Sequence, residues 1–241
     1  MDISTVISDT GKELERYAVE QLHGTAVAEF DDLLELRNLK GENTGYTKIW
    51  QGDGPSKIAS MSIDIMPGKA RYLNLQIVPD PKLRLPRYVF EGMVMGHNCM
   101  LSVDLYPDVD MITNLDWIRE KYAPVAEVFD ACRGDEAYDF TISRTIHMRA
   151  FCSPVFLLAP KMAPALAPGF EGFARQYFDC WLDMFRSAEA GDAQETEERR
   201  ARRKLISEQT IALDPDRKMV TAVYGDALTE RIEEASMYWE P

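Results

Sequence analysis

No stretch of this chain stays apolar for the roughly 20 residues that a bilayer-spanning helix needs. The first residues, MDISTVISDTGKELERY, have neither the apolar core of a secretion signal nor the Arg/Ser-rich character of a transit peptide. A cytoplasmic protein is expected, or a stromal one if the chain is the processed form of a plant-type precursor. The glycine motifs that cradle phosphates are missing too. No G-x-G-x-x-G opens a helix after a β-rich run, and no G-x-x-x-x-G-K-[ST] occurs; Gly52-Asp53-Gly54-Pro55-Ser56-Lys57 is only a polar turn. There is no G-x-S-x-G elbow and no H-E-x-x-H. The three histidines are scattered, and His97, Cys99 and Asp108 are too loosely spaced to make a metal centre, so no metal site is expected. The four cysteines contain no C-x-x-C, which speaks against a disulfide framework or an iron–sulfur ligand set and for reduced thiols. Positive charge is scarce. With 27 Lys and Arg against 40 Asp and Glu, the net charge of −13 leaves no basic surface for nucleic acid as a main partner.

What the chain does have is an ordinary globular composition, 46% hydrophobic and 28% charged over 241 residues, enough for a substantial core. No linker, repeat or low-complexity block divides it, so one domain spanning 1–241 is expected. Helical spacing of apolar residues covers about 3–38, closed by Gly41 and Asn43. The period then changes. Tyr46–Trp50, Lys57–Met66, Arg71–Val78, Tyr88–Met95 and Met100–Tyr106 are β-rich runs separated by Gly52–Pro55, Pro67-Gly68, Pro79–Pro81 and Gly96–Asn98. Connections this short favour an antiparallel meander of about five strands.

Helices follow. One is capped at Thr113 or Asn114 and disturbed at Pro124. Another carries the apolar stripe Phe170, Phe173, Ala174, Tyr177, Trp181 and Phe185. A charged, mainly solvated helix spans Glu195–Gln209. Asp214-Pro215-Asp216 starts one more, interrupted at Gly225, and a last one runs to about Met237. Helices on both faces of the sheet would give an α/β fold, a three-layer α/β/α sandwich with a central antiparallel sheet.

Chemistry centres on a carboxylate inside a strand. In Arg87-Tyr-Val-Phe-Glu-Gly-Met-Val-Met95, alternation places Glu91 on one face with Val89, Met93 and Met95. A desolvated Glu there would have a raised pKa and could deliver a proton near neutral pH. Pairing with a buried arginine, or a solvent-facing strand, is the competing reading. Asn74 and Asp64 lie on the two preceding strands, where register decides whether they approach Glu91. Asp214 reads equally as a helix cap.

Taken in order, these segments resemble red chlorophyll catabolite reductase and its relatives, the ferredoxin-dependent bilin reductases. Pro86-Arg-Tyr-Val-Phe-Glu91 resembles the family strand that carries a functional glutamate. Leu101-Ser-Val-Asp-Leu-Tyr-Pro107, followed by Asn114-Leu-Asp-Trp-Ile-Arg-Glu-Lys-Tyr122, resembles the family's aspartate-containing strand and the helix after it. Ser62–Leu75, Ser153-Pro154, Asp214-Pro-Asp-Arg217 and Tyr224-Gly225-Asp226 complete the set, which covers about residue 45 to the C-terminus. Glutamate at Glu91, where most bilin reductases have aspartate, leans toward the chlorophyll-catabolite branch.

The resemblance implies ferredoxin-dependent reduction of a linear tetrapyrrole through radical states. No cofactor would be tightly bound, and reduced ferredoxin would be the external donor. Glu91 and Asp214 would be proton-donating or substrate-orienting acids. Asn74, Asp64, Arg87 and Arg217 would bind substrate. The alternatives are a bilin reductase that makes a phytobilin-like pigment from biliverdin, and a non-catalytic tetrapyrrole carrier on the same fold. An acidic ferredoxin would need a basic face, for which Lys82, Arg84, Arg87, Arg199, Arg200, Arg202, Arg203 and Lys204 are the candidates. A homodimer is compatible with the sequence, and the oligomeric state stays open.

Overall fold

The computed structural model describes residues 9–241 apart from Pro55, Pro67, Gly68, Arg144, Thr145 and His147. The first six positions of the expected N-terminal helix lie outside that range. Helix α1 (Lys12–Gln21) buries Leu14 and Ala18. It stops where His23 takes a positive φ of 48°. The expected continuation to about residue 38 is not a helix. Two short strands, β1 (Thr25–Ala26) and β2 (Leu36–Arg37), flank a 3₁₀ turn over Ala28–Leu33. Phe30, Leu33 and Leu36 are spaced by three, which satisfies a helical reading, but Phe30 and Leu33 are buried from a tighter, interrupted 3₁₀ turn and Leu36 from β2.

The sheet is built from β3 (Asn43–Gly52), β4 (Ser56–Met66), β5 (Ala70–Val78), β6 (Arg87–Met95), β7 (Asn98–Tyr106) and β8 (Leu157–Met162). The order is β1-β3-β4-β5-β6-β7-β8, with β2 also on β3, and every pairing is antiparallel. The five expected strands are present, and the segment after Ser153-Pro154 adds β8 at the edge. The β6–β7 hairpin closes with Met95 opposite Asn98, so Gly96 and His97 form the loop. Such a two-residue loop needs positive φ, which Gly96 supplies at 53°. Gly45 is required for another reason. A Cβ there would lie 2.3 Å from the Ser62 carbonyl oxygen of β4.

Helices cover both faces. On one lie α1, α2 (Leu115–Arg133) and, after the single turn α3 (Met148–Phe151), α4 (Ala167–Arg186). Helix α2 continues through Pro124. The proline and the Glu120 carbonyl it fails to bond are on the exposed side, where water serves, while Tyr122 and Val125 stay buried. The expected stripe of α4 is fully buried at Phe170, Ala174, Tyr177 and Trp181. Its polar edges are satisfied: the Trp181 indole N–H donates to the Pro86 carbonyl (2.8 Å) and the Tyr177 hydroxyl to the Val155 carbonyl (2.8 Å).

The other face carries the 3₁₀ turn, α5 (Ala193–Leu213), α6 (Arg217–Tyr224), α7 (Asp226–Glu233) and a terminal π turn over Glu234–Tyr238. The three-layer α/β/α sandwich is thus observed. Helix α5 departs from its solvated reading. Arg199 and Arg203 are 3% and 4% exposed and tie the helix to the end of the sheet. Among the described residues, no helix is long and apolar enough to cross a membrane.

Candidate functional site

Strand register lays out the face beneath α5–α7 as rows. Met61, Asn74, Glu91, Ser102 and Leu158 lie side by side across five strands. One row toward the β6–β7 hairpin come Ile63, Tyr72, Met93 and Met100; one row the other way come Ala59, Gln76, Val89 and Asp104. Met61, Tyr72, Glu91, Met93, Met100 and Leu158 are only half-buried, so the centre of this floor is open.

Glu91 sits at the middle. Tyr72 donates its hydroxyl to Glu91 Oε1 at 2.7 Å, and Asn74 Nδ2 donates to the same oxygen at 3.3 Å. Among the described residues, no donor is placed on Oε2. Burial pushes the Glu91 carboxyl above its usual range, and the negative charge of Asp214 adds to this; the bonds from Tyr72 and Asn74 oppose both. The competing reading of Glu91, as the partner of a buried arginine, is not what the register delivers.

Asp214 follows the last turn of α5 and is exposed. Its Oδ1 accepts the Asp216 backbone N–H at 2.8 Å, so the side chain does stabilise the turn into α6. Its charge also reaches Glu91, Tyr72 and Asp216. Asp216 is raised by burial and by Asp214. The two sequence-singled acids therefore share one electrostatic site, and Asn74 joins them.

Asp64 does not. It pairs in register with Arg71 and, through it, Val94, out of phase with the Tyr72–Met93 row, so alternation sends it to the opposite face. There its Oδ1 accepts from Arg71 Nε at 2.7 Å. Arg87 is on the Glu91 face but four residues away and buried, donating from Nε to Asp108 Oδ1 at 2.9 Å. Arg203 Nε holds the other Asp108 oxygen at 2.5 Å. Arg217 grips Glu233 through Nε and Nη2 at 2.6 and 3.0 Å. Both arginines are thus committed to carboxylates. The expected basic docking face is thinned likewise, because Arg87, Arg199 and Arg203 are buried.

Two participants carried no sequence signal of their own, and a third, Asp104, was marked only by the resemblance of its strand to an aspartate-containing family strand. Tyr72 looked like any strand aromatic. Asp216 looked like part of a turn. Asp104 is almost fully buried, accepting the Ser153 backbone N–H (2.9 Å), the Ser153 hydroxyl and the Leu105 N–H (2.8 Å). Burial pushes its carboxyl up to about 7. The pairing of an aspartate in β7 with Ser153-Pro154 is what docks β8 beside the site.

A cleft of about 680 Å³ lies between α5, from Glu195 to Gln209, and the loop Asp108–Asn114 with Ala150 and Phe151. Phe151 packs edge-on against Tyr106, centroids 5.8 Å apart, and Tyr106 ends the strand that carries Asp104 and Ser102. The cleft thus adjoins the Glu91 face. Its volume is in the range of small-ligand sites. Val109, Leu205 and Ile206 give it apolar wall, and Arg84 and Arg202 give it positive charge. Among the described residues, no three His, Cys, Asp or Glu side chains are grouped to hold a metal.

Among solved structures, phytochromobilin synthase from tomato, in complex with biliverdin, matches with a TM-score of 0.79. The match has 14% identity and covers 92% of this chain and 80% of that one. The chain therefore has the bilin reductase fold. No family model matches it, and no curated protein matches it in sequence.

Proposed function

We propose that this protein is a ferredoxin-dependent reductase of a linear tetrapyrrole, with Glu91 as the acid that protonates the substrate. The observation that carries the reading is the Glu91 carboxyl itself. It is set in the centre of an open sheet face, held at Oε1 by Tyr72 and Asn74, and biased by burial toward its protonated form. The fold shared with a protein solved in complex with biliverdin supports the ligand class.

Reducing one double bond takes two electrons and two protons. Reduced ferredoxin gives the electrons singly and is itself oxidised, so the tetrapyrrole passes through a radical. The protein's part is to place protons. Holding Oε1 with two donors leaves Oε2 to carry the proton toward the ligand. Asp214, exposed and electrostatically linked to Glu91, accepts a proton from solvent and supplies or orients the second one. Met61, Met93 and Met100 give polarisable apolar contact for a conjugated ligand beside the acid. Biliverdin-type bilins and red chlorophyll catabolite present the same chemistry to this floor. The glutamate at Glu91 favours the catabolite by resemblance, and the shared fold favours the bilin.

The test is an anaerobic assay with biliverdin, reduced ferredoxin and a regenerating system, read by visible absorption. Loss of the biliverdin band through radical intermediates to a new product is expected, or the same course with red chlorophyll catabolite. A shifted band that persists with both substrates would make the protein a carrier and overturn the proposal.

A further inference from the structure

A second, smaller cavity lies beside α5 and is lined in part by Arg203, which pairs with Asp108. It encloses about 180 Å³ and is lined by Lys57, Val78, Pro79, Asp80, Pro81, Lys82, Arg200, Arg203, Glu240 and Pro241. Its charge is unusual in a chain of net charge −13. Four cations line it, and two of them, Lys57 and Arg203, are 2% and 4% exposed. Buried cations are normally paired. Lys57 Nζ donates to one neutral acceptor, the Ser236 carbonyl, at 3.0 Å. Arg203 spends Nε on Asp108 and Nη1 on the Pro79 carbonyl (2.6 Å), but Nη2 is buried with no hydrogen-bond partner among the described residues.

The one buried carboxylate at hand, Asp108, is already shared between Arg87 and Arg203. Neither acidic side chain of the cavity lining bonds Lys57 or Arg203 directly, although the charge of Glu240 reaches Lys57. Asp80 Oδ1 caps the Lys82 backbone N–H at 2.8 Å, and Glu240 is exposed, 4.0 Å from Arg200 Nε. Burial presses the Lys57 ammonium down to about 7; the charge of Glu240 opposes this, and the smaller fields of Arg87 and Arg203 add to it. Buried donors without acceptors, in a polar cavity with room for one small ion, call for an anionic ligand.

We propose that this cavity is a binding site for a single tetrahedral oxyanion, phosphate or sulfate, with Lys57 and Arg203 as its buried ligands and Arg200 and Lys82 at its mouth. The anion supplies acceptors to Arg203 and Lys57 and compensates the excess positive charge beside α5. It thereby fixes the helix whose C-terminal end carries Asp214. A carboxylate offers fewer acceptors to the same cations and binds more weakly.

The experiment is a titration of the full chain with sodium phosphate, sulfate or acetate against sodium chloride at equal ionic strength. Binding is followed by calorimetry and by the NMR signal of the Lys57 side-chain amine. Phosphate and sulfate are expected to bind in a 1:1 ratio and to raise the Lys57 titration midpoint by a unit or more, with acetate at least tenfold weaker. Lys57→Met should weaken phosphate binding at least tenfold, and Arg200→Ala, at the half-exposed mouth, by a smaller factor. An unmoved Lys57 signal with phosphate would overturn the proposal. So would equal phosphate affinity in wild type and Lys57→Met, or acetate binding as tightly as phosphate. None of these readouts depends on tetrapyrrole reduction.

Discussion

Asp108→Asn is the substitution that the buried charge of this fold resists most. The wild-type carboxylate is 1% exposed and accepts from Arg87 at 2.9 Å and from Arg203 at 2.5 Å. Asparagine keeps the shape but one acceptor oxygen, and it aims an N–H₂ donor at the second guanidinium. Each hydrogen bond to a charged group is worth about 1.5–3 kcal/mol, and breaking a buried pair by removing one partner costs about 3–5 kcal/mol. There is no slack to absorb the loss, because Arg87 Nη2 and Arg203 Nη2 are already buried without partners among the described residues. We expect Asp108→Asn to lose about 3–5 kcal/mol in urea unfolding, a large share of the ~5–15 kcal/mol typical of a domain. At ~2–4 °C per kcal/mol for a chain of this size, Tm should fall by roughly 6–20 °C. The triple change Asp108→Leu, Arg87→Met and Arg203→Met should regain most of the loss, since no buried charge is then left unpaired. A loss under about 1 kcal/mol for Asp108→Asn would refute the argument that α5 is held to the sheet by these pairs.

The remaining expectations follow from the acids. Tyr72→Phe removes a donor from Glu91 Oε1, so the Glu91 carboxyl should hold its proton to higher pH than in wild type; carboxyl ¹³C titration reads this, and a downward move contradicts it. Asp104 has a folded pKa near 7, above its ordinary value, so between about pH 4 and 7 the folded state binds more protons than the unfolded one. Stability should therefore fall as pH rises through that window, by at most about 1.4 kcal/mol per unit. Asp104→Asn should flatten this dependence, and the same change in urea-unfolding free energy between pH 4.5 and 7 in wild type and variant would remove Asp104 as the cause. Gly45→Ala should destabilise by more than the ~1–3 kcal/mol usual for overpacking, because the colliding atom is β4 backbone; an unchanged Tm would contradict the close approach.

The meander was legible because its β-rich runs are bounded by glycine or proline, and α4 because its aromatic stripe admits no other period. The coil after α1 was not, because apolar residues three apart satisfy both a helix and the 3₁₀ turn around Phe30. Burial of Arg199 and Arg203 was hidden behind neighbouring glutamates, since a run of charges looks the same whether its inner row meets water or the carbonyls of Pro79 and Pro81. At the site, alternation was enough to select Glu91. It could not bring Asn74 opposite Glu91 and send Asp64 to the other face, because both facts depend on inter-strand register. Tyr72 and Asp216 acquire their parts only from three-dimensional neighbours, and Asp104, on a strand marked by resemblance, acquires its burial and its Ser153 partner from them. Arg87 and Arg217 drew attention by charge, and the structure occupies both with carboxylates.

The central claim is that Glu91 delivers a proton to a bound tetrapyrrole. The measurement that meets it most directly is a comparison of wild type and Glu91→Gln under anaerobic reduction with biliverdin and reduced ferredoxin, with binding and product followed in the same spectra. The account predicts that the variant binds biliverdin with near wild-type affinity and accepts an electron, but accumulates the radical and forms product at least a hundredfold more slowly. Product formation at the wild-type rate by Glu91→Gln would contradict it.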